Sequence, residues 1–252
     1  MYKISDYPSI AGNFFLGGRA EGASQRLIGN VNILTVFLRR EGSDWSEEAK
    51  NKYYDSISKA ADFLMSEAKR YGATLHIRRI HLETDVPADA DPKCGYALVK
   101  DYFHKESVNE VQDHYRRSLG ADEVPIILAF NTRGRSFAFK KNANEKRGAQ
   151  EISVIFFENG DSPERKKTEI AHELLHQFGA VDYYFPEEVK ETAKKYIGNS
   201  IMGIGSPVVD DLTAYLVGWK DTVCANSYWF LKETMWLNED LLAKEKRKQW
   251  QK

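Results

Sequence analysis

The chain has 252 residues, of which 42% are hydrophobic and 12% aromatic, enough for a packed core in one large domain or two small ones. Its formal net charge of −1 offers no global electrostatic basis for binding nucleic acid. No apolar run reaches membrane-spanning length, and the first thirty residues contain no recognisable signal peptide. We therefore expect no nucleic-acid or membrane partner. An intracellular protein and a secreted one whose leader was removed both remain open, and the oligomeric state stays unknown.

The first half of the chain predicts alternating strands and helices. Residues 1–30 show little periodicity and are typical of an irregular lead-in. Alternating β-branched residues predict strands at 31–38 and 75–82. Between them a long helix is expected to run to about Tyr71, with Asp44 as its N-cap. Two less regular helices are expected within 96–119.

The second half predicts three more strands and then mostly helices. Residues 124–131 are almost continuously apolar and indicate a central strand, whereas the alternation in 133–139 favours an edge strand. A polar loop and a buried strand are expected to follow. The remaining expected segments are the loop at 142–150, the strand at 152–157, a short helix or loop at 186–197, a helix at 207–219 and a charged terminal helix or tail at 239–251.

A helix with a metal-binding pattern is predicted after the last strand. Ser162 is a candidate N-cap, and Pro163 suits the first helical position. His172 and His176 are four residues apart, so both imidazoles lie on one helix face and can reach a single metal ion. Glu173 is placed to accept a proton from a water bound to that ion. The alternative is that both histidines are ordinary residues of an amphipathic helix.

A glycine and an aspartate after this helix complete the predicted site. Gly179 can end the helix in a left-handed conformation that other residues rarely adopt. The chain can then turn back and bring Asp182 to the same ion as a third ligand. Three protein ligands with an open fourth position describe a catalytic zinc site, although a carboxylate ligand also suits harder cations.

The stretch at residues 172–182, H-E-L-L-H-Q-F-G-A-V-D, resembles the signature of the metzincin zinc peptidases. The aspartate at the third ligand position is similar to the snapalysin-like branch of that family. Metzincins also carry a methionine turn beneath the metal, and Met202, between Gly198 and Gly203, resembles it. The alternative for Met202 is plain core packing.

The resemblance spans roughly residues 30–219 and implies an α+β fold. It implies a twisted mixed β-sheet with a backing helix and an active-site helix, above a small, mainly irregular or helical C-terminal part. One metallopeptidase catalytic domain would cover residues 1–252, with an upper subdomain at 1–179 and a lower one at 180–252. The family resemblance also implies secretion if a leader was removed.

One departure from the family concerns the residue that assists the developing oxyanion. Several metzincins have a tyrosine two residues after the methionine, where this chain has Ile204. Tyr184, two residues after Asp182, is the candidate replacement. Cys94 and Cys224 could pair or stay free, and nothing in the sequence ties either to the metal.

The resulting hypothesis is a zinc-dependent endopeptidase that cleaves a peptide or protein substrate. One catalytic Zn²⁺ ion would be held by His172, His176 and Asp182, and Glu173 would be the general base toward a metal-activated water. Two alternatives remain open. The same metal site could serve an amidase or deacylase acting on a small substrate, or the chain could be a non-catalytic metal-binding module.

Overall fold

A computed structural model of the chain describes residues 1–20, 24–139, 152–158, 160–203 and 207–250. Three short helical segments come first: a 3-10 turn at Ile4–Asp6, α1 at Pro8–Ala11 and a 3-10 turn at Phe14–Leu16. The larger elements follow in chain order: β1 Gly29–Arg39, α2 Glu47–Arg70, β2 Leu75–Asp85, a 3-10 turn at Pro92–Cys94, α3 Gly95–Phe103, α4 Val108–Leu119, β3 Ile126–Phe130, β4 Phe137–Phe139, β5 Ile152–Phe156, α5 Pro163–Gln177, α6 Glu187–Tyr196, α7 Asp211–Leu216, α8 Ala225–Glu233 and α9 Glu239–Trp250.

The strands form one twisted mixed sheet in the order β2-β1-β3-β5-β4. Pairing is parallel from β2 through β5, and only β4 runs antiparallel, at the edge. All five residues of β3 are buried, as expected for a central strand. The expected mixed sheet is confirmed. The strand predicted at 133–139 lies at the edge as expected, but it begins only at Phe137.

Helices cover both faces of the sheet. On one face α2 and α5 pack against the alternate residues of β1 that include Val31, Ile33 and Phe37. On the other face α3 and α4 enclose Leu34 and Val36 in a second, smaller core. The expected backing helix is α2, which carries Tyr53, Ile57 and Leu64 into the larger core. The larger core continues into the residues after Gly179, so the subdomain division expected there stays a prediction.

Several sequence predictions need correction. The N-cap of α2 is Ser46 and not Asp44, because the Ser46 hydroxyl accepts the bond from the Ala49 amide. The lead-in is less irregular than expected, since its short helices bury Phe14 and Phe15. The helix expected at 207–219 is shorter, because the Asp210 carboxylate caps α7 immediately before Asp211.

The C-terminal region also departs from expectation. Helix α8 was not predicted, and its Phe230 is fully buried whereas Trp229 is 42% exposed. Both cysteines are free. The polar loop expected at 142–150 lies outside the described residues. No helix within the described ranges is long and apolar enough to cross a membrane.

Candidate metal centre

Helix α5 carries the HExxH motif and begins as the sequence predicts. The Ser162 hydroxyl accepts from the Arg165 amide, and Pro163 occupies the first turn, where its missing N–H costs nothing. Ile170, Leu174 and Leu175 are buried against the sheet and α2. The helix is therefore a packed, rigid support for the polar residues on its other face.

A buried amide fixes the last turn of α5 to the sheet. The Gln177 side chain accepts from the Ile126 amide at 3.1 Å and donates to the Ile126 carbonyl at 3.0 Å. It also donates to the Ser153 hydroxyl at 2.8 Å, and that hydroxyl donates to the backbone carbonyl of Glu173. These bonds join α5 to β3 and β5 at the level of the motif. A polar residue within an apolar helix face was the only sequence signal for this role.

Gly179 ends the helix region in the left-handed conformation that the sequence predicts. Its φ is +93°, and an added Cβ would lie 2.3 Å from the carbonyl oxygen of Gly18. Both the torsion angle and this close approach require glycine. The reversal brings Asp182 back alongside α5.

Three side-chain atoms converge at this point. The Nε2 atoms of His172 and His176 lie 3.1 Å apart, and Asp182 Oδ1 lies 3.2 Å from each of them. Ligand atoms that sit about 2.0–2.1 Å from a tetrahedral zinc ion stand roughly 3.3–3.4 Å apart. The observed triangle therefore has the size of one face of such a coordination shell.

The hydrogen bonds made by the Nδ1 atoms of His172 and His176 show where the imidazole protons lie. His172 Nδ1 is 2.8 Å from the Ile201 carbonyl oxygen, and His176 Nδ1 is 2.8 Å from the Ala180 carbonyl oxygen. Because a carbonyl oxygen only accepts, each Nδ1 carries a proton, and each Nε2 offers its lone pair to the centre whenever the ring is neutral. Asp182 Oδ1 is itself buried without a hydrogen-bond donor. Three electron-rich atoms thus face one another, and a shared cation fits this arrangement.

The charges of the site also favour a positive charge between these atoms, either a proton or a metal ion. Burial opposes protonation of His176, but the neighbouring Asp182 carboxylate outweighs it and raises the His176 pKa to about 9. Burial likewise opposes ionisation of Asp182, yet the two histidines hold its pKa well below the usual range. The Asp182 side chain keeps 31% of its exposure, so the centre opens toward solvent on its side.

A second carboxylate lies next to the triangle. Glu173 is 6% exposed, and one of its carboxylate oxygens lies within 4.8 Å of a ring nitrogen of both His172 and His176. Burial raises the pKa of Glu173, and the two histidines partly offset that rise. This position and this raised pKa suit a group that accepts and then releases a proton.

Tyr184 lies on the exposed side of the centre. Burial and a hydrogen bond to the Asp182 carboxylate raise the pKa of its phenol. The Arg135 guanidinium, from the segment before β4, donates to the Tyr184 hydroxyl at 3.3 Å. A phenol and a guanidinium thus line the rim of the centre.

The turn that contains Met202 contacts His172 through the Ile201 carbonyl oxygen, and Met202 itself is fully buried. The Ser200 hydroxyl accepts from the Met202 amide and donates to the buried Asp210 carboxylate at 2.6 Å. Asp210 also accepts from the Thr213 hydroxyl, which is paired with the Tyr183 phenol. Sequence reasoning missed Ser200 and Asp210, whose only signal was a polar residue on each side of a short apolar stretch.

The structure brings His172, Glu173, His176, Asp182 and Tyr184 together. Met202 lies in a buried turn next to Ile201, which contacts His172, and Ile204, where several metzincins have tyrosine, lies outside the described residues. The remaining histidines and both cysteines do not belong to the only metal-type cluster that the described residues form.

No family model and no curated protein sequence matches the chain. Solved structures do match, 51 chains in all. One of them is metalloproteinase-II from Bacteroides fragilis, at 13% identity and a TM-score of 0.37. The match covers 90% of this chain and 60% of that chain, so this chain spans about three-fifths of that protein's length. A likeness of this size carries no inference about activity.

Proposed function

We propose that the chain is a zinc-dependent endopeptidase of the metzincin type. The observation that carries the proposal is the triangle formed by His172 Nε2, His176 Nε2 and Asp182 Oδ1, with atoms 3.1–3.2 Å apart and both Nδ1 protons committed to backbone carbonyls. Two imidazoles and one carboxylate are a donor set that catalytic zinc uses, and the triangle has the size of one face of a tetrahedral zinc shell.

Two carboxylates compete for the role of third ligand, and the distances favour Asp182. Its Oδ1 is 3.2 Å from both Nε2 atoms, whereas a Glu173 oxygen lies within 4.8 Å of a nitrogen of each ring and forms no ion pair with either histidine. Glu173 also follows His172 directly on the helix, so its side chain points about 100° away from that ring. Asp182 therefore serves as the ligand, and Glu173 stays available as a base.

Bound zinc would lower the pKa of a water to about 7 and polarise a peptide carbonyl. Glu173 accepts the proton of the attacking water at its carboxylate and passes it to the leaving amine nitrogen. The raised pKa of Glu173 favours both steps, because the carboxylate then accepts a proton more readily and the acid can still release it near neutral pH. The Tyr184 hydroxyl, at the exposed rim, donates to the oxyanion that forms on the substrate.

A peptide or protein substrate would bind along the edge strand. Among the described residues β4 pairs only with β5, so its other side is proposed to offer backbone groups for an additional strand. The turn at Met202 and its Ser200–Asp210 support would hold the site from below.

The deciding experiment measures metal and cleavage together. Purified protein is expected to hold one zinc ion per chain, and to cut an unfolded protein in a reaction that a chelator stops and added zinc restores. A protein without stoichiometric metal would contradict the proposal. A protein that holds zinc but hydrolyses only small acylated amines would instead favour the amidase or deacylase alternative.

A further inference from the structure

Arg135 is an exposed arginine at the rim of the proposed active site. Its guanidinium donates to the Tyr184 hydroxyl, which is itself hydrogen-bonded to Asp182. Arg135 lies two residues before β4, the edge strand along which the substrate is proposed to run. A cationic group thus stands beside both the metal centre and the substrate path.

The guanidinium has unused hydrogen-bonding capacity. Arginine offers five N–H donors, and the described residues engage Arg135 only through the single 3.3 Å contact with a phenol. Within the described ranges Arg135 forms no ion pair. Several other arginines do form ion pairs with carboxylates, namely Arg19, Arg39, Arg70 and Arg116.

The neighbouring Arg133 shows why Arg135 is distinct. Arg133 lines a cavity of about 160 Å³ together with the carboxylate residues Glu158 and Asp161. Arg135 pairs with no carboxylate of the described residues, and Asp182, which it approaches through Tyr184, directs Oδ1 at the two histidines. A planar guanidinium matches a carboxylate through two parallel hydrogen bonds.

We propose that Arg135 binds a carboxylate of the substrate and makes the enzyme prefer peptides with an acidic group near the scissile bond. This inference rests on the proposed peptidase function. Arg135 lies two hydrogen bonds from the metal centre, one to Tyr184 and one from Tyr184 to Asp182. One residue of extended peptide advances at most about 3.3–3.6 Å, so a carboxylate on Arg135 belongs roughly one to three residues from the bond that is cut. The carboxylate can belong to an aspartate or glutamate side chain or to the C-terminus of the peptide.

The experiment starts from the zinc-loaded wild-type protein and an unfolded protein substrate whose cleavage sites are mapped by mass spectrometry. Acidic residues are expected to be enriched at one position within three residues of the cut. A cleaved peptide is then compared with its Glu→Gln twin and with its free-acid and amide forms. In each pair, the peptide that carries the carboxylate is expected to have about a tenfold higher kcat/KM if Arg135 binds that carboxylate. A difference in the Glu/Gln pair assigns binding to a side chain, and a difference in the acid/amide pair assigns it to the C-terminus.

Arg135→Gln is expected to reduce that ratio to about one, because the carboxylate-bearing twin loses more rate than the uncharged twin. Arg117→Gln, which removes an exposed arginine on α4, is the matched control and should keep the wild-type ratio.

Equal wild-type rates on both twins would overturn the inference and leave the peptidase function intact. An equal loss on both twins in Arg135→Gln would also overturn it, since Arg135 would then act through Tyr184. A wild-type protein that cuts no peptide bond would refute the peptidase function itself, and the inference with it.

Discussion

His172 Nδ1 lies 2.8 Å from the carbonyl oxygen of Ile201, the residue before Met202. This contact joins a histidine of α5 to a turn that comes 29 residues later in the chain. It fixes the ring orientation and keeps the proton away from Nε2. Two buried residues hold this turn in place: the Ser200 hydroxyl accepts from the Met202 amide and donates to the Asp210 carboxylate.

Glu173→Gln is expected to keep zinc and to lose turnover by a factor of at least about 100, because the amide cannot accept a proton. Zinc content by elemental analysis and kcat on a peptide substrate are the measurements. Glu164→Gln, an exposed isosteric change on the same helix, should behave as wild type. Near-normal cleavage by Glu173→Gln would reject the general-base role.

Asp182→Ala is expected to weaken zinc binding by a factor of at least about 100, because it removes one of three ligands. A competition titration against a chromophoric chelator measures the dissociation constant. If Asp182→Ala keeps wild-type affinity and Glu173→Gln loses the metal, Glu173 is the third ligand instead.

Ser200→Ala is expected to raise the zinc dissociation constant about tenfold, because the turn would no longer hold the Ile201 carbonyl against His172. The free energy of unfolding should fall by about 1–2 kcal/mol, since the change leaves the buried Asp210 carboxylate without one donor. The control is Thr192→Ala, which removes a hydroxyl bonded only to its own helix on the surface. Unchanged zinc affinity in Ser200→Ala would refute the link between this turn and the metal.

Tyr184→Phe is expected to lower kcat by about 10- to 100-fold with a smaller change in KM, because the hydroxyl acts on the oxyanion of the transition state. Steady-state kinetics at matched zinc content provide the measurement. Tyr196→Phe, which removes a phenol hydroxyl that bonds the exposed Glu233, is the control. A wild-type kcat in Tyr184→Phe would mean that the hydroxyl has no part in the chemistry.

Gly179→Ala is expected to cost at least about 2 kcal/mol of unfolding free energy, because a positive φ and a clash with the Gly18 carbonyl add together. Gly198→Ala is the matched control, since its φ is +72° but no atom lies within 4 Å of the added Cβ. It should lose only about 1 kcal/mol from the torsion angle. Urea denaturation of both variants measures the difference, and equal losses would show that the close approach to Gly18 costs nothing.

Local patterns predicted the elements that position the site. The apolar run of β3, the Ser162 cap of α5 and the left-handed Gly179 are properties of short segments, and the structure confirms each of them. Predictions failed where a neighbouring polar residue offered a competing cap. Ser46 replaced Asp44 at the start of α2, and Asp210 shortened the helix expected at 207–219.

The sequence by itself determined which residues can bind a metal, because the i,i+4 spacing and the glycine reversal are encoded within eleven consecutive residues. Only the tertiary structure decided the tautomer of His172, the bond from Gln177 to β3, and the approach of Arg135 to Tyr184. These contacts join residues 29 to 51 positions apart in the chain. Such pairings depend on how the packed core brings distant segments together, and no periodicity of the sequence records them.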